Sequence, residues 1–249
     1  MAPSYAALFS PFQIGHLRLR NRIVYPPIAT NYATDEGFVT QRLQDYAAER
    51  AKGVGLYIVE CSVVHPLGKA VARSPMVTDD KFIPGLSELA TTIKSGGAVA
   101  AIQLQHGGKE AMPSITGATP LAPCDIPGPK GLAARAMTRQ EIAEAVASFA
   151  AAAVRAQKAG FDAVELHAAT AYLIDEFISR QYNRRTDEYG GSLHNRARFL
   201  VETIRACRQA TGGSFPIWCR INGEEGMLEN GITLDESREV ARLAEEAGV

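Results

Sequence analysis

The chain has 249 residues, of which 46% are apolar and 21% charged, with a formal charge of −1. That composition supports a packed core and excludes an intrinsically disordered chain. Near-neutral charge argues against a nucleic-acid or anionic-membrane partner, and no apolar run reaches the roughly 18 residues that span a bilayer.

By length, one α/β barrel or two smaller domains would fit. In chain order, Leu8 to Leu19 alternates weakly around Gly15 and predicts a hairpin ahead of the main fold. Arg22-Ile23-Val24-Tyr25 reads as a first buried strand, ended by Pro26-Pro27 because proline cannot donate to a sheet ladder. Thr40 caps a predicted helix to Lys52, with Leu43, Ala47, Arg50 and Ala51 at three- and four-residue spacing. Leu56-Tyr57-Ile58-Val59 is a second strand, ending at Glu60-Cys61. A helix over about Phe82 to Lys94 is closed by Gly96-Gly97. Ala98 to Ile102 is a third strand, ending at Gln103-Leu104-Gln105-His106. The next thirty residues, rich in Gly and Pro, show no period and predict a long irregular loop.

Thr138-Arg139-Gln140-Glu141 is a capping box. It opens a helix with Ile142, Val146, Phe149 and Ala153 on one face. Asp162 to Leu166 is a fourth buried strand, followed by His167, Thr170 and Tyr172. Ser192 caps a helix through Ala210, Pro216 to Ile221 is a fifth strand, and Thr233 starts a last helix to Ala247-Gly248.

Strand, loop and helix thus alternate at least five times, without linker composition or internal repeats. No glycine-rich phosphate turn opens any helix, which favours a (β/α)₈ TIM barrel over a doubly wound sheet. A barrel needs eight strands and five are visible, so the given chain reads as a fragment, truncated before the sixth strand. Cys61, Cys124, Cys207 and Cys219 contain no CxxC pair, so no metal site or redox dithiol is expected. Reduced cysteines, and an N-terminus without a signal-peptide pattern, point to a cytoplasmic protein.

In parallel α/β folds the chemistry lies outside the carboxyl ends of the strands. On a barrel, the tips offer Pro27, Ile28, Ala29 and Thr30 from the first strand and Cys61 from the second. The third offers Gln103, the fourth His167, Thr170 and Tyr172, and the fifth Arg220. Their joint placement after successive strands raises a functional reading for residues that are individually unspecific.

Several stretches resemble the old yellow enzyme family, the flavin-dependent ene-reductases, and especially its bacterial branch that includes 2,4-dienoyl-CoA reductase. They are Arg20 to Val24 with Pro26-Pro27, Ile102 to Gly108, His167 to Leu173, and above all Asn183-Arg184-Arg185-Thr186-Asp187-Glu188-Tyr189-Gly190-Gly191-Ser192-Leu193-His194-Asn195-Arg196-Ala197-Arg198-Phe199. The resemblance runs from about Leu8 to Val249 and implies that residues 1–249 are a single FMN-binding barrel domain. It implies FMN across the barrel mouth, with NADH or NADPH as hydride donor. An iron–sulfur cluster is implied only for a longer chain.

By the same resemblance, the amide of Gln103 meets the pyrimidine edge of the flavin. Arg220 faces its anionic N1 and O2 side, Pro27, Ile28 and Ala29 lie against the ring, and Cys61 packs near its edge. His167 hydrogen-bonds the carbonyl of an α,β-unsaturated substrate, and Tyr172 donates a proton to the α carbon. Two positions depart from the family pattern. Thr170 stands where His or Asn is usual, and Ala29 where Thr or Cys often contacts the flavin. Thr170 motivates one alternative, a related flavoprotein that oxidises amine or alicyclic substrates. The fragmentary strand count motivates another, a non-catalytic barrel module. The partner expected is a small-molecule substrate, and a homo-oligomer is compatible with the chain.

Overall fold

The computed structural model describes residues 5–128 and 131–249; the first four residues, and two within the loop after the third predicted strand, lie outside them. Helix α1 (Ala6–Phe9) precedes a hairpin of β1 (Phe12–Ile14) and β2 (Leu17–Leu19), turned at Gly15. Then follow β3 (Val24–Tyr25), α2 (Gln41–Ala51), β4 (Leu56–Val63), α3 (Ile83–Ser95) and β5 (Val99–Gln105). The next segment holds α4 (Pro113–Thr116), β6 (Leu121–Ala122), β7 (Ile126–Pro127) and β8 (Ala133–Ala136). The chain continues with α5 (Arg139–Lys158), β9 (Ala163–Ala168), α6 (Leu173–Ile178), α7 (Leu193–Ala210), β10 (Ile217–Ile221) and α8 (Leu234–Ala247).

Strands β3, β4, β5, β9 and β10 form one parallel sheet in chain order. A doubly wound sheet reverses its strand order at a switch point; this one does not. It curls as the first five strands of a (β/α)₈ barrel do.

Helix starts follow local chemistry. Thr40, Thr138, Ser192 and Thr233 each accept a hydrogen bond from the backbone N–H three residues on. At Thr138 and Thr233 the reciprocal bond from Glu141 and Glu236 completes a capping box.

The sheet has two faces with different partners, because successive side chains of a strand point to opposite sides. Tyr57, Val59, Ala100, Ile102, Leu104, Val164, Leu166 and Ala168 face outward and pack under the helices. Leu56, Ile58, Ala101 and Ala163 face inward, and Leu19 of the hairpin joins them, closing the bottom of the barrel with an apolar floor.

The expectation of a thirty-residue irregular loop after β5 is corrected. That segment carries α4 and a small three-stranded sheet in the order β6-β8-β7. Its strands are two to four residues long, too short for any period to be read. The second and third barrel strands run further than predicted, to Val63 and Gln105, and a register shift between Val59 and Ser62 lets β4 continue. The first is shorter, limited to Val24 and Tyr25. Arg50 leaves the predicted buried stripe of α2 and lies over the Tyr46 ring at 3.4 Å. Among the described residues, no helix is long and apolar enough to cross a membrane.

Phe199 of α7 is fully buried between Phe177 and Phe149, with ring centroids 4.7 and 6.5 Å away. Removing such a ring leaves a cavity that the neighbours refill only in part. Phe199→Ala is expected to destabilise by about 3 to 5 kcal/mol, read from the urea midpoint; a loss under about 1 kcal/mol would show that α7 does not anchor this layer.

Candidate active site

Above the apolar floor the inward-facing residues turn polar. Gln103 of β5, Glu165 of β9 and Trp218 of β10 lie side by side, because Gln103 pairs in register with Glu165 and Glu165 with Trp218. Gln103 donates from Nε2 to Glu165 Oε1 at 2.7 Å, and Trp218 donates from Nε1 to Glu165 Oε2 at 2.9 Å. Both carboxyl oxygens of the buried Glu165 are thereby satisfied, as buried polar atoms require. The Gln103 side-chain oxygen accepts nothing from the described residues.

One step further along the strands, His167 sits opposite Arg220. Burial, and then the charge of Arg220, push the His167 pKa down to about 4. The ring is therefore neutral at pH 7 and offers a single N–H. Its Nδ1 is buried without a hydrogen-bond partner, and its Nε2 lies 3.5 Å from the Thr170 hydroxyl. Among the described residues Arg220 makes no ion pair, and its side of the sheet is open. Tyr172 stands edge-on to the His167 ring, with centroids 4.8 Å apart. Burial, with smaller contributions from Cys61 and Glu110, raises its pKa, so the phenol is protonated at neutral pH.

Cys61 lies at the same rim, buried, with its Sγ 3.9 Å from Ser74 Oγ. Burial, with a smaller push from Glu60, raises the thiol to about 11, so it packs as a thiol and is a poor nucleophile. Pro27 is half-buried and Ile28 and Ala29 are exposed on the loop after β3. That loop is tied down by Glu60, which accepts the Thr30 backbone N–H at 2.9 Å and the Thr30 hydroxyl.

The structure thus brings His167, Thr170, Tyr172 and Arg220 together, places Gln103 one layer beneath them, and puts Cys61 and the Pro27–Ala29 loop on the same rim. Sequence reading missed Glu60, Glu165 and Trp218, which brace this set. It also missed Gln105, whose amide is wholly buried with neither atom partnered. The signal was available in the period of two: Gln103 and Gln105, Glu165 and His167, Trp218 and Arg220 are polar or amphipathic positions alternating with apolar ones. A buried acidic pair beneath the Tyr172 turn was missed too. Asp175 Oδ2 accepts the Ala171 N–H at 2.7 Å and Glu176 Oε1 accepts the Lys109 N–H at 2.8 Å. Gly108 is required beside Glu176: its φ is +58°, and a Cβ there would fall 2.3 Å from Glu176 Oε1.

A chain-ordered parallel barrel sheet with an imidazole, a phenol and a guanidinium without an ion-pair partner among the described residues at its mouth fits a barrel oxidoreductase. The chain belongs to the NADH:flavin oxidoreductase / NADH oxidase family, whose model matches residues 7–248. It is 46% identical to an NADH oxidase of Thermoanaerobacter brockii, an alignment that covers 97% of this chain and 38% of that protein. It is 38% identical to an NADPH dehydrogenase of Bacillus cytotoxicus over 97% of this chain and 69% of that one. A 2-naphthoyl-CoA reductase, solved in complex with 2-naphthoyl-CoA, superposes with a TM-score of 0.94 at 32% identity, over 98% of this chain and 39% of that one. The old yellow enzyme homologue of Zymomonas mobilis gives 0.88 at 28% identity, over 98% of this chain and 71% of that chain. The resemblance to old yellow enzymes drawn from the motifs therefore holds, and so does the partial barrel.

Asp175 provides a pH test of the site. Burial, reinforced by the Glu225 charge, raises its pKa to about 7, against roughly 4 in an unfolded chain. The folded state binds this proton more tightly, so stability is highest below about pH 4 and falls as pH rises towards about 7. Asp175→Asn keeps an acceptor oxygen and stays neutral. It is expected to match the wild type near pH 4 and to exceed it above pH 7 by a few kcal/mol in chemical denaturation; equal stability at both pH values would refute the buried-charge cost.

Proposed function

We propose that this chain is the flavin-binding part of an FMN-dependent oxidoreductase that takes reducing equivalents from NADH or NADPH. Its substrate is an activated carbon–carbon double bond, in an α,β-unsaturated carbonyl compound or an enoyl thioester. The observation that supports this most directly is the meeting of neutral His167, protonated Tyr172 and unpaired Arg220 at one rim. The chain spans under two-fifths of the length of the NADH oxidase it matches, so the activity is assigned to the protein as a whole.

The residues fit a flavin. The Gln103 oxygen can accept from the ring N–H of the pyrimidine edge. Arg220 offers a permanent cation with no ion-pair partner among the described residues, suited to a ring that becomes anionic on reduction. The exposed apolar Ile28 and Ala29 offer a surface for a flat ring, with Cys61 near its edge. When bound, reduced FMN would supply hydride.

The chain's own side chains supply the rest. His167 donates a hydrogen bond to the substrate carbonyl oxygen, where negative charge grows as the β carbon accepts hydride. A donor aimed at developing charge is worth about 10² to 10³ in rate. The Thr170 hydroxyl, within reach of the same oxygen as His167, replaces the second donor usual in relatives. Tyr172 transfers its proton to the α carbon and is recharged from solvent. Its raised pKa keeps it loaded at neutral pH.

Two measurements test this. Tyr172→Phe is expected to slow the oxidation of reduced flavin by an enone about 10²-fold or more, with flavin reduction by NADPH little changed. An unaltered enone rate would remove Tyr172 as the acid. His167→Ala is expected to weaken binding of a phenol, which resembles the enolate, about 10- to 100-fold; unaltered phenol affinity would take His167 out of the site. Amines and alicyclic substrates belong in the same panel, because Thr170 departs from the carbonyl-binding pattern. A purified protein that takes up no FMN would favour a non-catalytic module.

A further inference from the structure

Thr170 and Ala171 both adopt left-handed backbone, with φ of +58° and +56°, although neither is glycine. For residues with a Cβ this costs about 1 to 2 kcal/mol each, because the Cβ crowds the carbonyl oxygen. Two such residues in a row persist only where their surroundings hold them. The hold comes from side chains on two other elements. Asn222, just past β10, accepts the Thr170 N–H through Oδ1 at 3.2 Å and donates from Nδ2 to Asp175 Oδ2 at 2.9 Å. Asp175, wholly buried in the first turn of α6, accepts the Ala171 N–H through the same Oδ2 at 2.7 Å. Each strained residue therefore has its amide caught by a side chain rather than by backbone.

A third residue secures the pair from behind. Glu225 Oε1 lies 3.4 Å from Asn222 Nδ2, while its Oε2 accepts the Ser179 hydroxyl at 2.6 Å and the Ile232 N–H at 2.9 Å. Backbone bonding within the turn is weak by comparison: Tyr172 N reaches Ala169 O at 3.4 Å. The turn is also the hinge of the site. It sets where the Thr170 hydroxyl lies relative to His167 Nε2, 3.5 Å away, and how the Tyr172 ring meets the imidazole. Since Asn222 follows Arg220 by two residues, the end of β10 presents the rim cation and also holds the turn that aims the proton donor.

We propose that Asn222 and Asp175 are positioning residues: together they hold the strained Thr170–Ala171 turn so that the Thr170 hydroxyl meets the same substrate carbonyl oxygen as His167 and the Tyr172 hydroxyl meets the adjacent α carbon. This rests on the function proposed above for His167 and Tyr172. Neither Asn222 nor Asp175 touches substrate in this scheme; they act through the turn. A rival account, in which the apolar packing of Ala169 and Leu173 alone fixes the turn, leaves the left-handed pair without a restraint on φ.

The test compares wild type with Asn222→Ala, Asp175→Ala and Asp175→Asn. Amide exchange at Thr170 and Ala171 is followed residue by residue, and flavin reduction by NADPH and reoxidation by an enone are timed separately on the flavin-loaded protein. Asn222→Ala is expected to speed exchange at Thr170 about tenfold or more, and Asp175→Ala to do so at Ala171. Asp175→Asn, which keeps the acceptor oxygen, is expected to restore the protection lost in Asp175→Ala. Asn222→Ala is expected to slow enone reoxidation about 10- to 100-fold, well beyond any change in flavin reduction. Because Asn222 is only half-buried, this variant tests the proposal even where Asp175→Ala fails to fold. Exchange and enone rates both within about twofold of wild type in Asn222→Ala would overturn the proposal. Faster exchange with an unchanged enone rate would overturn it as well, since the clamp would then be structural only. A wild type that turns over no enone or enoyl thioester sinks the function proposed above instead, and the exchange data still decide whether the clamp holds the turn.

Discussion

Everything at the rim depends on the register of β9 between β5 and β10. In parallel strands, paired residues point to the same face, so Gln103, Glu165 and Trp218 share one layer and His167 and Arg220 the next. A slip of one residue would turn Glu165 and His167 towards the helices and bring Val164 and Leu166 into the barrel. The slip is opposed from both sides. Outside, Val164 and Leu166 are fully buried in the helix-packed core; inside, Glu165 would lose both of its donors. The apolar contacts fix the register, and the register places the polar groups.

The interior and the rim hold several carboxylates that accept hydrogen bonds from other elements. Glu60 is bonded to Thr30, Glu165 to Gln103 and Trp218, Asp175 to Ala171 and Asn222, and Glu225 to Ser179 and Ile232. A buried ion rarely adds net stability over an apolar group of the same size. Their value here is positional. Glu165 links three adjacent strands, whereas Glu60, Asp175 and Glu225 tie the loops at the carboxyl ends of the strands to neighbouring segments. Among the described residues, His167 Nδ1, the Gln105 amide, Asp175 Oδ1 and Glu176 Oε2 are buried without partners.

The electrostatics of the rim sort the groups by task. His167 and Arg220 face each other across one strand pair, and burial, with a smaller push from that cation, keeps the imidazole neutral. Tyr172 is held in its protonated form by burial. A neutral imidazole, a protonated phenol and an exposed guanidinium thus meet at one rim, the first two set by burial and the last left open to solvent. Cys61, in the same rim, is kept a thiol by burial and has no nucleophilic part in this division.

Taken by itself, the sequence determined four helix starts and the order of the five barrel strands. Thr40, Thr138, Ser192 and Thr233 cap by bonds that reach only three residues, and each barrel strand shows in a short apolar run bounded by turns. It also marked His167, Tyr172, Gln103 and Arg220 as strand-tip residues, since position after a strand is a local property. The partners of those residues could not be read locally. Glu165 meets Gln103 and Trp218 from 62 and 53 residues away, and Asn222 meets Thr170 across 52. The short strands β6 to β8 form only against one another, and β4 runs past Cys61 only because a register shift keeps it paired with β5. Such features come from segments that are brought together only when the barrel closes its apolar floor. A buried polar group takes its partner from the surrounding three-dimensional packing, and only the tertiary structure could decide which one.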